Sequence, residues 1–338
     1  MHAGHRWGVG LVLIAAALAA AQDAAPPEDP DGKNPEGVEQ SERLEIEDAM
    51  AVTFQKRETR DCVVAVMTGD ADAKALAKFA VTASKLARTT WSKAKRDAPL
   101  DLDGAKIAIY SIPLGPEQES FIGWVGSALR GQPPVLSGIR SQHHWYWQDM
   151  PPWVFVERNK ALPVHTKEQG SQVAHGLGHA FFTAASRCGA AASPPWMAEG
   201  YACWLDRQIM PKVRMGCAHA SVLGAFAKRP EWDKQISGLV KATKDPPLAA
   251  IVKVTQASDL REAMLPKAAS VCGWLSRTRT DEFWKLPHAI HALGAEKAFP
   301  AVFQKTVDEL DADWRKWAAD QKAPVTGGEP PKDDGKDD

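Results

Sequence analysis

The chain has 338 residues, of which 44% are hydrophobic, so it can bury one large core or two modest ones. This composition excludes disorder throughout the chain. The formal net charge is −1, and basic and acidic residues are interleaved along the sequence, so nothing in the charge pattern indicates a nucleic-acid partner.

Residues 1–21 have the pattern of an export signal peptide. Arg6 provides a positive flank, residues 9–20 are apolar, and three consecutive alanines at 19–21 offer a small-residue cleavage site. A retained membrane anchor is the weaker alternative, because about 12 to 14 apolar residues fall short of the roughly 20 that span a bilayer. We predict cleavage before Gln22 and a secreted or periplasmic protein without membrane contact after cleavage.

Two segments, 22–42 and 323–338, are rich in proline, glycine and acidic residues. Segments of this composition bury too little apolar surface to fold, so we predict a disordered linker and a disordered acidic tail. The folded domain is predicted at residues 43–322, and no internal repeat is visible in it.

The first part of that domain predicts a small sheet with a helix packed on it. Short β-rich runs at 51–54, 62–67 and 106–112 predict strands. Residues 73–94 have apolar side chains at helical spacing, which predicts an amphipathic helix, and a shorter pattern of the same kind covers 116–129.

Residues 143–157 are rich in aromatic side chains. Directly after two prolines, a strand is predicted at Trp153, Val154, Phe155 and Val156. Because proline cannot donate a hydrogen bond to a strand ladder, we expect an edge strand. The aromatic residues indicate either a tryptophan-rich core or a surface that binds a peptide or glycan. Thirteen tryptophans spread over the whole chain favour the core.

Beyond residue 174 the pattern is almost wholly helical. Capping boxes at Thr166–Gln169 and Thr306–Glu309 mark two helix starts. An N-terminal sheet followed by a helical half predicts an α+β fold. The predicted helices cover 167–185, 194–209, 218–228, 231–243, 259–277, 281–292 and, with a break, 295–320.

Five cysteines would meet an oxidising compartment after export, and at least one must stay outside any disulfide. A bridge between Cys188 and Cys203 would fix the segment between two predicted helices. The sequence does not determine the pairing, and a buried thiol outside any disulfide explains Cys203 equally well. The five are Cys62, Cys188, Cys203, Cys217 and Cys272.

The strongest chemical pattern lies on two consecutive predicted helices. His175 and His179 are four residues apart, so they share one helix face and offer two imidazoles to one ion. Such a pair alone is more often incidental than a ligand set. Glu199 changes this, because it adds a carboxylate on the next helix, behind a turn that contains Pro194 and Pro195.

This pattern resembles the zinc site of gluzincins, the peptidase MA-like zinc metallopeptidases that include thermolysin and aminopeptidases. The family's HExxH motif, and its following helix with a glutamate and a small residue, correspond here to HGLGH and WMAEG. Residues 294–317 are similar to the closing helices of secreted peptidase MA-like proteins. The resemblance implies a zincin-like fold, a hydrolase ancestry, and zinc held by His175, His179 and Glu199 with an open fourth position.

The chain departs from the family directly after the first ligand. The family has a glutamate there that takes a proton from the attacking water, and this chain has Gly176. Loss of a general base costs typically 10² to 10⁴ in rate, so efficient proteolysis is not expected. Gly176 and Gly178 each cost up to about 1 kcal/mol of helix propensity, which indicates close packing of another backbone against this helix. Cys203, one turn after Glu199, stands where relatives carry an acidic partner of a ligand histidine.

Three functions are compatible with these residues. The lead hypothesis is a secreted pseudoenzyme that keeps the ligand triad, is catalytically impaired, and binds a peptide or protein along the strand 153–156. The second is an active zinc metallohydrolase with an unusual base or a substrate-assisted mechanism. By resemblance to the family's downstream histidine or tyrosine, Tyr201 and His219 are candidate oxyanion donors. The third is a structural relic without metal, because the sequence does not determine whether zinc is retained.

Overall fold

The computed structural model describes residues 52–67, 69–91, 105–113, 115–128, 144–147, 153–158, 167–186, 193–211 and 232–320, together with Ile46, Met50, Leu100 and Leu102. The predicted signal peptide, the linker 22–42 and the tail 323–338 lie outside these residues. Among the described helices, none combines the length and the hydropathy that a membrane crossing needs.

Five strands form one mixed sheet in the order β1-β2-β3-β5-β4. The inner strands β2, β3 and β5 run parallel, and β1 and β4 pair antiparallel at the two edges. The first strand lies at 55–58 and not at the predicted 51–54. Its residues are exposed and polar, so the sequence pattern does not mark it, and its pairing with β2 makes it a strand. The strands are β1 (Gln55–Glu58), β2 (Cys62–Val66), β3 (Ile107–Pro113), β4 (His144–Trp147) and β5 (Trp153–Arg158).

The prediction of an edge position for residues 153–156 is wrong. β5 pairs with β3 on one side and with β4 on the other, so both of its ladders are filled. β5 begins at Trp153, so the two prolines that precede it in the sequence are not strand residues in either ladder. Among the described strands the edge on this side of the sheet is β4, a strand that the aromatic run does not predict.

The helical half confirms the α+β class. The predicted helix at 259–277 begins later, because residues 257–259 form a 3₁₀ turn and Glu262 adopts a φ of 46°. The predicted helix 218–228 lies outside the described residues. The helices are α1 (Asp70–Thr89), α2 (Pro116–Ala128), α3 (Lys167–Ser186), α4 (Pro195–Ile209), α5 (Trp232–Lys241), α6 (Leu248–Ile251), α7 (Met264–Thr278), α8 (Thr280–Leu293), α9 (Ala295–Phe303) and α10 (Val307–Asp320).

The capping box at the start of α10 is confirmed. The Glu309 backbone N–H donates to Thr306 Oγ1 at 3.2 Å, and the Thr306 backbone N–H donates to Glu309 Oε2 at 2.7 Å. The second bond favours the ionised carboxylate and lowers the pKa of Glu309 below its ordinary value. The other predicted box begins at Thr166, outside the described residues.

Different helices cover the two faces of the sheet. Side chains alternate along β2 and β3, as the period of two requires. Tyr110 and Ile112 belong to a small cluster with residues of α2. The opposite face joins the main core with α1, α3 and α4, and its strand residues include Val64, Val66, Ile107, Ile109 and, on β5, Val154.

α3 lies between the sheet and the rest of the helical half. It contacts β4, β5 and α1, and it also contacts α4, which in turn packs against α7. The two helices that carry the predicted ligands are therefore held from both sides.

Candidate metal centre

Three buried side chains from α3 and α4 point at one another. His175 Nε2 lies 3.2 Å from His179 Nε2. The two carboxylate oxygens of Glu199 lie 3.6 Å from His175 Nε2 and 3.5 Å from His179 Nε2. The three residues are only 3%, 1% and 2% exposed. The predicted convergence of these residues is confirmed.

The spacing of these atoms fits a metal ion. Tetrahedral zinc with bonds of about 2.0–2.1 Å places its ligand atoms roughly 3.3 Å apart, which is near the separation of the two ring nitrogens. The two histidines face different oxygens of Glu199. One ligand atom from each residue lies within 4.8 Å of the others, so the group could hold a metal ion. Imidazole and carboxylate ligands suit zinc and other divalent first-row metals.

Burial adds an electrostatic reason for a cation at this point. A carboxylate removed from water is destabilised unless a cation or a protonated partner lies beside it. A divalent ion would engage both imidazoles and the carboxylate at once.

The two helices meet in an antiparallel register along a polar seam. Residue numbers rise along α3 as they fall along α4. Ser171 Oγ donates to Asp206 Oδ2 at 2.9 Å, and His179 faces Glu199 further along the same pair of helices. Between them Cys203 Sγ lies 3.9 Å from His175 Nδ1. Along this seam the paired residues recur every three or four positions, which is the spacing of side chains on one helix face.

Gly178 allows the close approach that this register needs. A Cβ atom built on Gly178 would lie 2.5 Å from Ala202 Cα and 3.1 Å from Ala202 Cβ. Any side chain at 178 would therefore push the backbone of α4 away from α3, and Glu199 with it. The predicted close packing of another backbone is confirmed at this glycine.

Gly178→Ala is expected to lower the free energy of unfolding by about 1 to 3 kcal/mol, because the new methyl group overlaps backbone. It should also weaken metal binding, because it separates Glu199 from the histidines. Gly238→Ala on α5 is the matched control, since its Cβ would have no atom within 4 Å. The control should gain up to about 1 kcal/mol of helix propensity. Chemical denaturation measures both, and equal stability of the two variants would contradict the close approach.

Gly176 faces the sheet and a side chain fills the space in front of it. A Cβ atom built on Gly176 would lie 2.7 Å from Val154 Cγ1, 3.2 Å from Cγ2 and 3.5 Å from Cβ. Gly176 therefore packs against a strand side chain, whereas close packing of another backbone was predicted for both glycines. In this packing a side chain at position 176 would require Val154 or the helix to shift.

The predicted substrate contacts on β5 receive no support from Val154. Val154 is fully buried in the main core and packs against α3 beside Gly176, so its side chain is not available to a ligand. The period of two explains this, because Val154 lies on the sheet face that α3 covers. The side chains of Trp153, Phe155 and Val156 lie outside the described part of the chain.

Tyr201, a predicted oxyanion donor, lies in the packed core of the helical half. It is fully buried, its ring packs against Phe182, Phe283 and Trp284, and its hydroxyl lies 3.0 Å from Thr90 Oγ1. Burial raises the pKa of Tyr201 well above its ordinary value. His219, the other candidate donor, lies outside the described residues.

Cys203 is a buried thiol and takes no part in a disulfide. This is the second of the two explanations that the sequence allows, and Cys188 lies outside the described residues. Its contact with His175 Nδ1 confirms that residue 203 stands beside a candidate ligand.

Comparison with known proteins gives no family assignment, because the sequence matches no family model and no curated protein. The candidate metal centre therefore rests on the geometry of His175, His179 and Glu199.

Proposed function

We propose that this protein is a zinc-binding domain that binds a peptide or protein and does not cleave it efficiently. His175, His179 and Glu199 would hold the ion. The observation that carries the proposal is the convergence of these three ligands directly beside Gly176, whose side-chain space Val154 occupies. The resemblance to gluzincins suggests zinc as the ion and a peptide as the ligand.

The chemistry of peptide hydrolysis explains why this arrangement favours binding over cleavage. A zinc ion supplies Lewis-acid chemistry and lowers the pKa of a coordinated water molecule to about 7. Hydrolysis also needs a group that accepts a proton from the attacking water and returns it to the leaving nitrogen. Gly176 has no side chain, so the proton-accepting group of the family is lost at this position.

The proposed ligand site lies along β4 and not along β5. Within the described residues β4 pairs with β5 only, so its outer row of backbone groups faces away from the sheet. α3 contacts β4, which places this edge next to the helix that carries the histidines. An extended peptide could add to the edge through main-chain hydrogen bonds.

Turnover of a mixed peptide library with zinc present tests the proposed loss of catalysis. We expect no chelator-sensitive cleavage above the level of His175→Ala, which removes a ligand. Chelator-sensitive cleavage by the natural chain, absent in His175→Ala, would contradict the proposal and favour the active metallohydrolase.

We also propose export, on the pattern of residues 1–21. Mass spectrometry of the protein from its native host is expected to show an N-terminus near Gln22, because the small residues before it suit signal peptidase. Intact Met1 in the soluble cytoplasmic fraction would overturn this expectation.

A further inference from the structure

The two ring nitrogens of His175 face different partners. Nε2 lies in the ligand group, 3.2 Å from His179 Nε2 and 3.6 Å from Glu199 Oε2. Nδ1 lies on the other side of the ring, 3.9 Å from Cys203 Sγ. Cys203 is fully buried on α4, one helical turn after Glu199.

We propose that Cys203 positions His175 for metal binding by accepting a hydrogen bond from Nδ1–H. A proton on Nδ1 leaves the lone pair on Nε2, which is the nitrogen that points into the ligand group. Metal-binding histidines generally donate their other N–H to an outer partner, which fixes the tautomer and the ring orientation. The inference rests on the proposed metal site and assigns the sulfur a role at it.

The position of the sulfur argues against direct ligation. Sγ contacts the nitrogen that points away from the ligand group, which among the described residues consists of His175, His179 and Glu199. Sulfur is a weak acceptor, so it can orient the ring without the full charge that a buried carboxylate would bring.

Cys203 is held firmly enough for this role. The next turn of α4 is fixed to α3 by the hydrogen bond between Asp206 and Ser171. On its other side α4 packs against α7, where Cys272 Sγ lies 3.8 Å from the Met197 carbonyl oxygen. Cys272 is also a fully buried thiol, but its contacts are with backbone and not with a ligand ring.

The test compares zinc affinity in Cys203→Ala, Cys203→Ser and Cys272→Ala by competition with a chromophoric chelator. Loss of an outer partner typically weakens metal binding 10- to 100-fold, so we expect this loss in Cys203→Ala. Cys203→Ser keeps a hydrogen-bond acceptor at this position, so it should retain most of the zinc affinity that Cys203→Ala loses. Cys272→Ala removes a buried thiol beside the same helix and should bind zinc as the natural protein does. Equal losses in Cys203→Ala and Cys272→Ala would overturn the proposal, because packing alone would then explain them.

Two spectroscopic readouts separate positioning from ligation. Long-range nitrogen–proton NMR of the imidazoles should show Nδ1–H at His175 in the zinc-loaded protein. Without metal, Cys203→Ala should shift the His175 tautomer toward Nε2–H. The cobalt(II) form should lack the strong near-ultraviolet band of a cobalt–thiolate bond, and the appearance of that band would make Cys203 a ligand and overturn the inference.

The same data distinguish failure of the proposed function from failure of this inference. If the natural chain binds no zinc, the metal-binding proposal fails. The tautomer shift between the metal-free natural chain and Cys203→Ala still decides whether the sulfur orients the ring, and an unchanged tautomer would overturn that role.

Discussion

Gly176→Glu alone is expected to be destabilised by about 1 to 3 kcal/mol and to remain unable to cleave peptides. The new Cβ would meet Val154 Cγ1 at 2.7 Å and Cγ2 at 3.2 Å, so the strand or the helix must move. The variant would gain a carboxylate that can accept a proton, but the shift needed to make room for it would disturb the neighbouring ligands.

Adding Val154→Ala should remove this obstacle. Alanine lacks both Cγ atoms, and the Cβ that remains lies 3.5 Å from the new side chain, an ordinary contact distance. If the rest of the cleft has kept its shape, Gly176→Glu with Val154→Ala should gain chelator-sensitive cleavage by a factor of order 10² or more over the natural protein. Turnover of a mixed peptide library and melting temperatures measure the two effects.

Gly176→Gln with Val154→Ala is the matched control. Glutamine has the same size as glutamate but does not accept the proton, so this variant should be similarly stable and inactive. A stable and active Gly176→Glu single variant would show that Val154 does not block the position. An inert, zinc-loaded Gly176→Glu with Val154→Ala would show that the cleft has lost more than its base.

Glu199→Gln is expected to remove the stabilisation that zinc gives to the fold. An ion that binds only the folded state at 100 times its Kd raises the free energy of unfolding by about 2.7 kcal/mol. Glutamine preserves the packing of this buried position but replaces a charged ligand by a neutral amide. The natural protein should therefore show the zinc-dependent shift in denaturation, and Glu199→Gln should show little or none.

Asp206→Asn provides the control for this experiment. Asp206 is buried on the same helix, and its carboxylate accepts a hydrogen bond from Ser171 and is not part of the ligand group. This variant should lose some stability with and without zinc, and it should keep the zinc-dependent shift. Loss of the shift in both variants would mean that it reports general damage to α4.

The ligand group could be predicted from the sequence because its signals are local. The spacing of His175 and His179 places them on one helix face, whatever the rest of the fold does. Pro194 and Pro195 mark the start of the next helix, and Glu199 lies inside that helix. This arrangement resembles a known zinc-site pattern, which predicted the third ligand residue. The structure then needed only to bring two neighbouring helices together.

The contacts that decide the chemistry could not be predicted, because they depend on tertiary packing. Gly176 and Gly178 indicated close packing, but their partners Val154 and Ala202 follow from strand order and helix register. The edge position was assigned to the wrong strand for the same reason: pairing of β5 with β4 is a property of the sheet and not of either segment.

Metal content tests the central claim most directly. The protein should be purified without an affinity-tag metal, and its zinc measured by elemental mass spectrometry beside Glu199→Gln prepared in the same way. We predict near-stoichiometric zinc in the natural chain, removable by a chelator and restored on addition of zinc, and little zinc in the variant. A natural chain that holds no more divalent metal than the variant, before or after addition of zinc, would contradict the account.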